Sequence, residues 1–304
     1  MKEAVPNYYH KFKCIADQCR HNCCIGWEIE IDEETMEFYQ SLDTPLGERI
    51  RKSVEGETPH FILGAGERCP FLKENGLCEI ICEQGEDALC DICTLHPRFR
   101  NFYDSFWETG LGLCCQEAAR VILTETEPFS VPLPGDVTCL EEEQIFFAKR
   151  QRIFSVLQER EKSVKERLSG LAEEYGISFG FSLEELRQQY LTLERLDDAW
   201  TKELEGLQGF AFDEGIFQEP EFQLPMEQLA VYFIFRHLSG ASWDGNYAER
   251  VGFALMSCYL IGALWDKHRQ ETGNIRIETM ADLARMYSAE VEYSQENMEA
   301  LMLG

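Results

Sequence analysis

The sequence is poor in positive charge. It holds 28 lysines and arginines against 55 aspartates and glutamates, which gives a formal charge of −27 over 304 residues. Both halves share the deficit, since residues 1–127 contain 24 acidic and 12 basic groups. Such a surface repels a phosphate backbone, so we expect no nucleic-acid partner. The charge favours solubility, and it would also attract a basic protein surface.

Segments for membrane insertion, export or common nucleotide binding are also missing. The longest strongly apolar stretch, residues 251–265, has 15 residues, whereas a membrane-spanning helix needs about 20. This stretch is therefore expected to form a buried helix, and no membrane partner is expected. Neither Gly-x-Gly-x-x-Gly nor a P-loop occurs. Residues 1–15 contain no apolar secretory segment, which favours a cytoplasmic location.

Cysteine, in contrast, is abundant and unevenly placed. Eleven of the 13 cysteines precede residue 116 and fall in pairs and short runs. In a reducing compartment disulfides are rare, the number of cysteines is odd, and a chain of this length does not need them as staples. A disulfide framework is therefore the less favoured interpretation, and the crowding of thiols indicates a metal centre.

The composition divides the chain near residue 127. Before this point cysteine, proline and glycine punctuate short segments, and after it helical patterns dominate. The stretch 127–136 contains three prolines and one glycine, as a linker would. We predict a mainly α protein in which a cysteine-rich metal-binding domain with short strands, residues 1–127, packs on a helical domain, residues 128–304.

Local patterns predict individual elements in both parts. In the first part, alternating residues from Trp27 to Asp32 indicate a strand, Asp32 is a candidate N-cap of the following helix, and Gln116–Leu123 is predicted to be helical. In the second part, apolar spacing predicts helices from about Ile145 to Leu168, from the capping box at Ser182 to Leu204, from Met226 to Leu238, from Trp243 to His268, and from Ile277 to Leu301.

The thiol spacing alone leaves two kinds of centre open. Zinc takes four ligands in a tetrahedron, and a [4Fe–4S] cluster takes four thiolates around a larger body. The Cys90-x-x-Cys93 pair suits either centre. The adjacent Cys23 and Cys24 are awkward for one small ion, because neighbouring side chains tend to point apart.

An ordered set of motifs within residues 8–123 resembles the flagellin lysine N-methylases, a family related to zinc- or iron-chelating cysteine-cluster proteins. The set comprises Phe12-Lys-Cys14 to Cys23-Cys24-Ile-Gly-Trp27, Cys69-Pro-Phe-Leu72, Asn75-Gly-Leu-Cys78, Leu89-Cys90-x-x-Cys93-x-x-His-Pro97-Arg98 and Leu113-x-Cys115-x-Glu-Ala-Ala-Arg120.

The resemblance implies a protein-lysine N-methyltransferase. Such an enzyme uses S-adenosylmethionine, holds a [4Fe–4S] cluster and methylates lysine ε-amines of a protein substrate, flagellin. The cysteines that match the family pattern, and that are therefore candidate metal ligands, are Cys14, Cys19, Cys23, Cys24, Cys69, Cys78, Cys90, Cys93 and Cys115.

The sequence departs from family expectations at two points. His96 stands where the family has tyrosine, which leaves the role of this position open. The Cys-x3-Cys-x2-Cys spacing of radical S-adenosylmethionine enzymes is absent, because Cys24 directly follows Cys23. A radical mechanism therefore has no support from the spacing.

Four residues within or beside the motifs are candidates for chemistry. Tyr9 and Asp32 are candidate catalytic residues, and Trp27 and Arg98 are candidates for cofactor binding. Each has a structural alternative: Asp32 as a helix cap, and Trp27 as a core residue. The alternative function is a non-catalytic zinc- or iron-binding protein, although a chelator has no need of the long helical half.

Overall fold

The computed structural model describes residues 2–178 and 182–302, and it is mainly helical. Contacts within the chain group it into two compact units. The helical unit consists of Met1–Phe12 and Phe99–Gly304, and the cysteine-rich unit is Lys13–Arg98. This division differs from the domains predicted from the sequence, 1–127 and 128–304. Residues 99–127 group with the helices because β-strand and helix contacts tie them to that unit.

The elements have the following bounds. The strands are β1 (Lys2–Ala4), β2 (Val54–Glu55), β3 (His60–Phe61), β4 (Arg98–Phe102) and β5 (Phe106–Leu111). The helices are α1 (Glu33–Ser41), α2 (Pro45–Lys52), α3 (Glu79–Gln84), α4 (Asp91–Leu95), α5 (Gln116–Leu123), α6 (Glu141–Leu157), α7 (Val164–Glu174), α8 (Leu183–Thr192), α9 (Asp198–Glu205), α10 (Pro220–His237), α11 (Ala241–Asp244), α12 (Tyr247–Thr272), α13 (Ile277–Val291) and α14 (Gln295–Met302).

The helical unit is built around α10 and α12, which pack on each other and are apolar over most of their length. The uncharged stretch 251–265 lies within α12 and is largely buried, as predicted. A three-stranded sheet in the order β1–β5–β4 adjoins this core, with β1 parallel to β5. Among the described residues, no helix combines the length and apolar character that crossing a membrane requires.

Four helices predicted as continuous are each broken in two. In the one predicted from Trp243 to His268, α11 ends at Asp244 and α12 begins at Tyr247. The predicted helix to Leu168 stops at Leu157, and α7 begins anew where Ser163 and Glu166 form a capping box. The Ser182–Glu185 box opens α8 as predicted, but α9 starts only after the cap Asp197. The last predicted helix breaks between α13 and α14. The prediction joined apolar residues on the two sides of each break, and this spacing alone did not reveal where the helix ends.

Of the other local predictions, some are confirmed and one is wrong. Gln116–Leu123 is a helix with the predicted bounds, and Asp32 caps α1. The predicted strand from Trp27 to Asp32 is wrong: this segment makes only the single bridge from Glu30 to His60 and a few backbone hydrogen bonds. The helix predicted from Met226 to Leu238 begins earlier, at Pro220, so that Pro225 lies inside α10.

A buried ion pair joins the sheet to α6. Arg150 donates to both carboxylate oxygens of Glu108 at 2.5 and 2.7 Å, and to the hydroxyl of Tyr103 at 3.1 Å. The Glu108 side chain is fully buried, and that of Arg150 is 6% exposed. Two charges in such a position are tolerated because each satisfies the other.

Removing one partner should therefore be costly. We expect Arg150→Ala to lower the free energy of unfolding by about 3–5 kcal/mol, because Glu108 is left as an uncompensated buried charge. The matched control is Arg152→Ala on the same helix, whose side chain is 65% exposed and lies 3.6 Å from Glu174. It should cost less than about 1 kcal/mol. Urea titration measures both changes, and equal effects would contradict the assignment.

Candidate metal centre

The cysteine-rich unit has its own small core, and cysteines form part of it. Cys69 and Cys90 are buried in this core, and Cys24, Cys78 and Cys93 are partly buried against it. These five residues, called here the thiol cluster, come from well-separated stretches of the chain. The core also contains aromatic and aliphatic side chains, including Tyr39, Phe61 and Phe71.

Backbone hydrogen bonds bring these stretches together. The Cys69 N–H donates to the carbonyl of Cys24 at 2.9 Å. Leu72 forms a bridge with Cys78, and the turn between them passes through Gly76, whose φ of +81° favours glycine. A Cβ at Gly76 would also lie 3.3 Å from Asp17 Cα. These backbone contacts therefore position Cys24, Cys69 and Cys78 of the thiol cluster.

Burial and backbone dipoles act in opposite directions on Cys69 and Cys78. Burial raises the pKa of the Cys69 thiol to about 11, although the N–H groups of Phe71 and Leu72 favour its thiolate. The pKa of Cys78 is also raised by burial, against the N–H groups of Ile80 and Ile81. Both sulfurs thus have N–H groups directed at them, and burial remains the largest influence on their pKa values. A cation at this place would favour their thiolate forms.

Two thiol pairs are linked by hydrogen bonds. The Cys24 thiol lowers the pKa of Cys23 to about 7, and the Cys93 thiol lowers the pKa of Cys90. The partner that keeps the proton, Cys24 or Cys93, has a raised pKa for the same reason. A negative charge on Cys69 also raises the pKa of Cys24 and that of Cys93. The five thiols of the cluster therefore form one electrostatically coupled group.

The other candidate ligands lie at different positions. Cys14 and Cys23 are exposed, and Cys19 is half-buried with its thiol donating to the His21 carbonyl at 3.0 Å. Cys115 lies in the helical unit, where it is the N-cap residue of α5. All 13 cysteines fall within the described parts of the chain, and none forms a disulfide.

The donor set fits a thiolate-bound centre in its chemistry. Soft thiolate ligands select zinc, copper(I) and iron–sulfur clusters, and the N–H groups directed at Cys69 and Cys78 are the kind of contact that stabilises bound thiolates. Over residues 2–178 and 182–302, however, no three His, Cys, Asp or Glu side chains converge closely enough to hold a metal ion. The five thiols of the cluster share one core, but their side chains do not converge on a single point.

The carboxylate of Asp32, a candidate catalytic residue, accepts three hydrogen bonds within the cysteine-rich unit. Its carboxylate accepts from the Thr35 N–H and hydroxyl, both at 2.9 Å, and from the Asp91 N–H at 2.8 Å. Burial opposes its ionisation, but these donors outweigh it and hold its pKa below the usual value. Asp32 thus caps α1 and ties it to the start of α4, next to Cys90 and Cys93.

The two candidates for cofactor binding lie near each other in the cysteine-rich unit. Trp27 is half-buried rather than a core residue; its indole N–H donates to the Cys23 carbonyl and its ring lies 5.8 Å from that of His96. Arg98 donates to the carbonyls of Thr94 and His96 at the end of α4. Both residues therefore flank the segment that carries Cys90 and Cys93, and their role in cofactor binding stays a prediction.

Tyr9, the other catalytic candidate, belongs to the helical unit. It is half-buried against the core, with its ring 5.4 Å from that of His10. Its neighbour Tyr8 is 1% exposed, and its hydroxyl has no hydrogen-bond partner among the described residues. The catalytic role of Tyr9 stays a prediction.

A buried polar network in the helical unit was not predicted from the sequence. Glu292 accepts from Tyr232 at 2.9 Å and His237 at 2.5 Å, and it pairs with Arg236 at 3.3 Å. The Leu113 N–H donates to the Tyr232 hydroxyl at 3.2 Å.

This network positions the motif around Cys115. The Arg236 guanidinium lies between the rings of Phe99 and Tyr293, 4.9 and 4.8 Å from their centres. The contact from Leu113 then fixes the backbone just before Cys114 and Cys115. Polar residues that end the apolar runs of α10 and α13 were the sequence signal for this network, but their pairing is not local.

Comparison with known proteins gives matches to one kind of protein. The chain is 28% identical over 134 residues to proteins named lysine-N-methylase from Salmonella typhimurium and from Salmonella choleraesuis. It is 26% identical over 134 residues to the flagellar biosynthetic protein FliU of Salmonella muenchen. Each match covers 41% of this chain; it covers 33% of each lysine-N-methylase and 79% of the FliU protein.

The chain thus spans about a third of the length of the lysine-N-methylases that it matches. No family model matches the sequence, and no solved structure matches the fold. The resemblance to flagellin lysine methylases that the motifs predicted is confirmed by these relatives.

His96 should report the burial of this region through its titration. Burial, aided by the charge of Arg98, lowers its pKa to about 4, against about 6.5 in an unfolded chain. Because the folded pKa is the lower one, neutral His96 contributes its full stability above about pH 6.5 and loses it as the pH falls toward 4.

NMR titration of the imidazole tests this expectation, with His96→Gln identifying the signal. Urea unfolding at pH 7 and pH 5 should show a smaller pH dependence in His96→Gln than in the unaltered protein. An imidazole that titrates near its ordinary value would contradict the burial described here.

Proposed function

Because the chain resembles the flagellin lysine N-methylases, we propose that it transfers a methyl group from S-adenosylmethionine to lysine ε-amines of a protein substrate, flagellin, in the cytoplasm. The observation that carries the activity is the similarity to the Salmonella lysine-N-methylases. The FliU relative supports a flagellar substrate through its name. The absence of disulfides among the described cysteines is compatible with a reducing compartment.

The second part of the proposal is that four members of the thiol cluster hold a [4Fe–4S] cluster. The supporting observations are their shared core, their mutual electrostatic influence and the N–H groups directed at Cys69 and Cys78. A bound cluster would supply a redox-active iron centre and would fix the loops that carry its ligands. Zinc is the alternative occupant, since thiolates bind both.

The transfer itself sets clear demands on the protein. The lysine nitrogen attacks the methyl carbon, the carbon–sulfur bond breaks and its electrons remain on sulfur, which becomes a thioether. The amine reacts only after losing a proton, although its ordinary pKa is about 10.4. Residues of this chain must therefore desolvate the amine or accept its proton, and must align nitrogen, carbon and sulfur. The negative surface would favour the approach of a lysine-bearing substrate.

Replacing single cysteines tests the metal centre. We expect protein purified without oxygen to carry about four irons per chain, and Cys69→Ser or Cys90→Ser to lose most of them, because a buried thiolate ligand is removed. Cys139→Ser, in the helical unit and outside the motifs, is the matched control and should keep its iron. Iron and zinc are measured by elemental analysis. Stoichiometric zinc without iron would contradict the cluster.

Co-expression with flagellin tests the activity. We expect mass spectrometry to find flagellin lysines heavier by one or more methyl groups when the unaltered protein is present. Cys90→Ser should reduce the modified fraction by at least about tenfold if the centre is needed, whereas Cys139→Ser should leave it unchanged. Unmodified flagellin in the presence of soluble, iron-loaded protein would rule out this substrate.

A further inference from the structure

A cleft on the helical unit has the chemistry of a binding site. It has a volume of about 500 Å³, within the range of about 300–1,000 Å³ that small-molecule sites occupy. One wall is formed by an exposed face of α6, and the opposite wall by the end of α7 and the start of α12. The lining residues are Ala148, Lys149, Arg152, Glu174, Tyr175 and Tyr247.

The positive charges of this cleft are only weakly engaged by the protein. Lys149 Nζ lies 4.4 Å from the centre of the Tyr247 ring, and no described carboxylate lies within ion-pair distance of it. Arg152 is 65% exposed and 3.6 Å from Glu174, which is too far for a hydrogen bond. The lining therefore carries two cations and one carboxylate in a chain of formal charge −27, and it is favourable for an anionic group.

The remaining side chains suit the rest of a nucleoside. Tyr175 is half-buried, lines the cleft and can offer part of its ring for stacking, whereas Lys149 Nζ already lies over the Tyr247 ring. Burial raises the pKa of both hydroxyls, which therefore stay protonated near neutral pH. The Glu174 carboxylate is an acceptor of the kind that binds ribose hydroxyls in other folds. Stacking, sugar contacts and charge pairing are thus available within one cleft.

We propose that this cleft binds a nucleoside that carries a phosphate or a carboxylate group. Lys149 and Arg152 pair with the anionic group, the Tyr175 ring stacks on the base, and Glu174 accepts from the sugar hydroxyls. The cleft lies outside the motifs that resemble the methylases, and the binding is independent of whether flagellin is the substrate.

Isothermal titration calorimetry with three probes tests the site. The probes are AMP, which carries a phosphate, S-adenosylhomocysteine, which carries a carboxylate, and adenosine, which carries neither. We expect at least one anionic probe to bind at least about tenfold more tightly than adenosine, and its affinity to fall with added salt. Binding of AMP alone identifies a nucleotide site, and binding of S-adenosylhomocysteine alone identifies a carboxylate-bearing nucleoside. Either result supports the inference.

Substitutions assign the binding to this cleft. Lys149→Gln with Arg152→Gln should weaken the anionic probe at least about tenfold, to the level of adenosine. The control Lys162→Gln removes an exposed lysine that does not line the cleft and should bind as the unaltered protein does. Circular dichroism checks that the variants fold. The inference would be overturned if neither anionic probe binds, or if the double variant binds the anionic probe as tightly as the unaltered protein does. Both measurements are independent of methylation activity.

Discussion

Backbone N–H groups directed at buried sulfur atoms are the interaction on which the candidate metal centre depends. The loop after Cys69 and the first turn of the helix after Cys78 each direct two such groups at a thiol. Burial opposes the thiolate form, and the N–H groups offset only part of that cost. The pKa of both thiols therefore stays above its usual value, and both are protonated near neutral pH. A bound iron centre would supply the positive charge that favours their thiolate forms.

The helical unit contains buried ion pairs. Its apolar core encloses Glu108 with Arg150, and Glu292 with Arg236 and His237. Each acid is surrounded by several donors, which is the condition under which a buried charge is tolerated. Both networks lie beside the segment from β4 to the start of α5. The Glu292 network contacts the backbone just before Cys114 and Cys115 through the hydrogen bond from Leu113 to Tyr232, and Cys115 is the cysteine of this pair that matches the family pattern.

Features that depend on neighbouring residues were predictable from the sequence. The α5 bounds and the caps at Asp32 and Ser182 follow from residues within one turn of each helix end. The break at 158–163 had local signals that the prediction missed, because residues 158–163 are all polar and Ser163 forms a capping box with Glu166. At 292–294 the signal is weaker: the Ser294 hydroxyl accepts from the Asn297 N–H at the start of the next helix. The motifs marked all five cysteines of the thiol cluster, but they marked Cys14 and Cys115 equally. Only the fold separates the buried and partly buried thiols of the cluster from the exposed Cys14 and Cys23.

We propose that the thiol cluster surrounds an inorganic centre, and X-ray absorption at the iron edge, on protein purified without oxygen, would detect its ligands. We expect iron with sulfur ligands and a second shell of neighbouring iron atoms, and loss of both in Cys69→Ser. Iron bound only by nitrogen and oxygen, or a spectrum that Cys69→Ser leaves unchanged, would contradict this proposal.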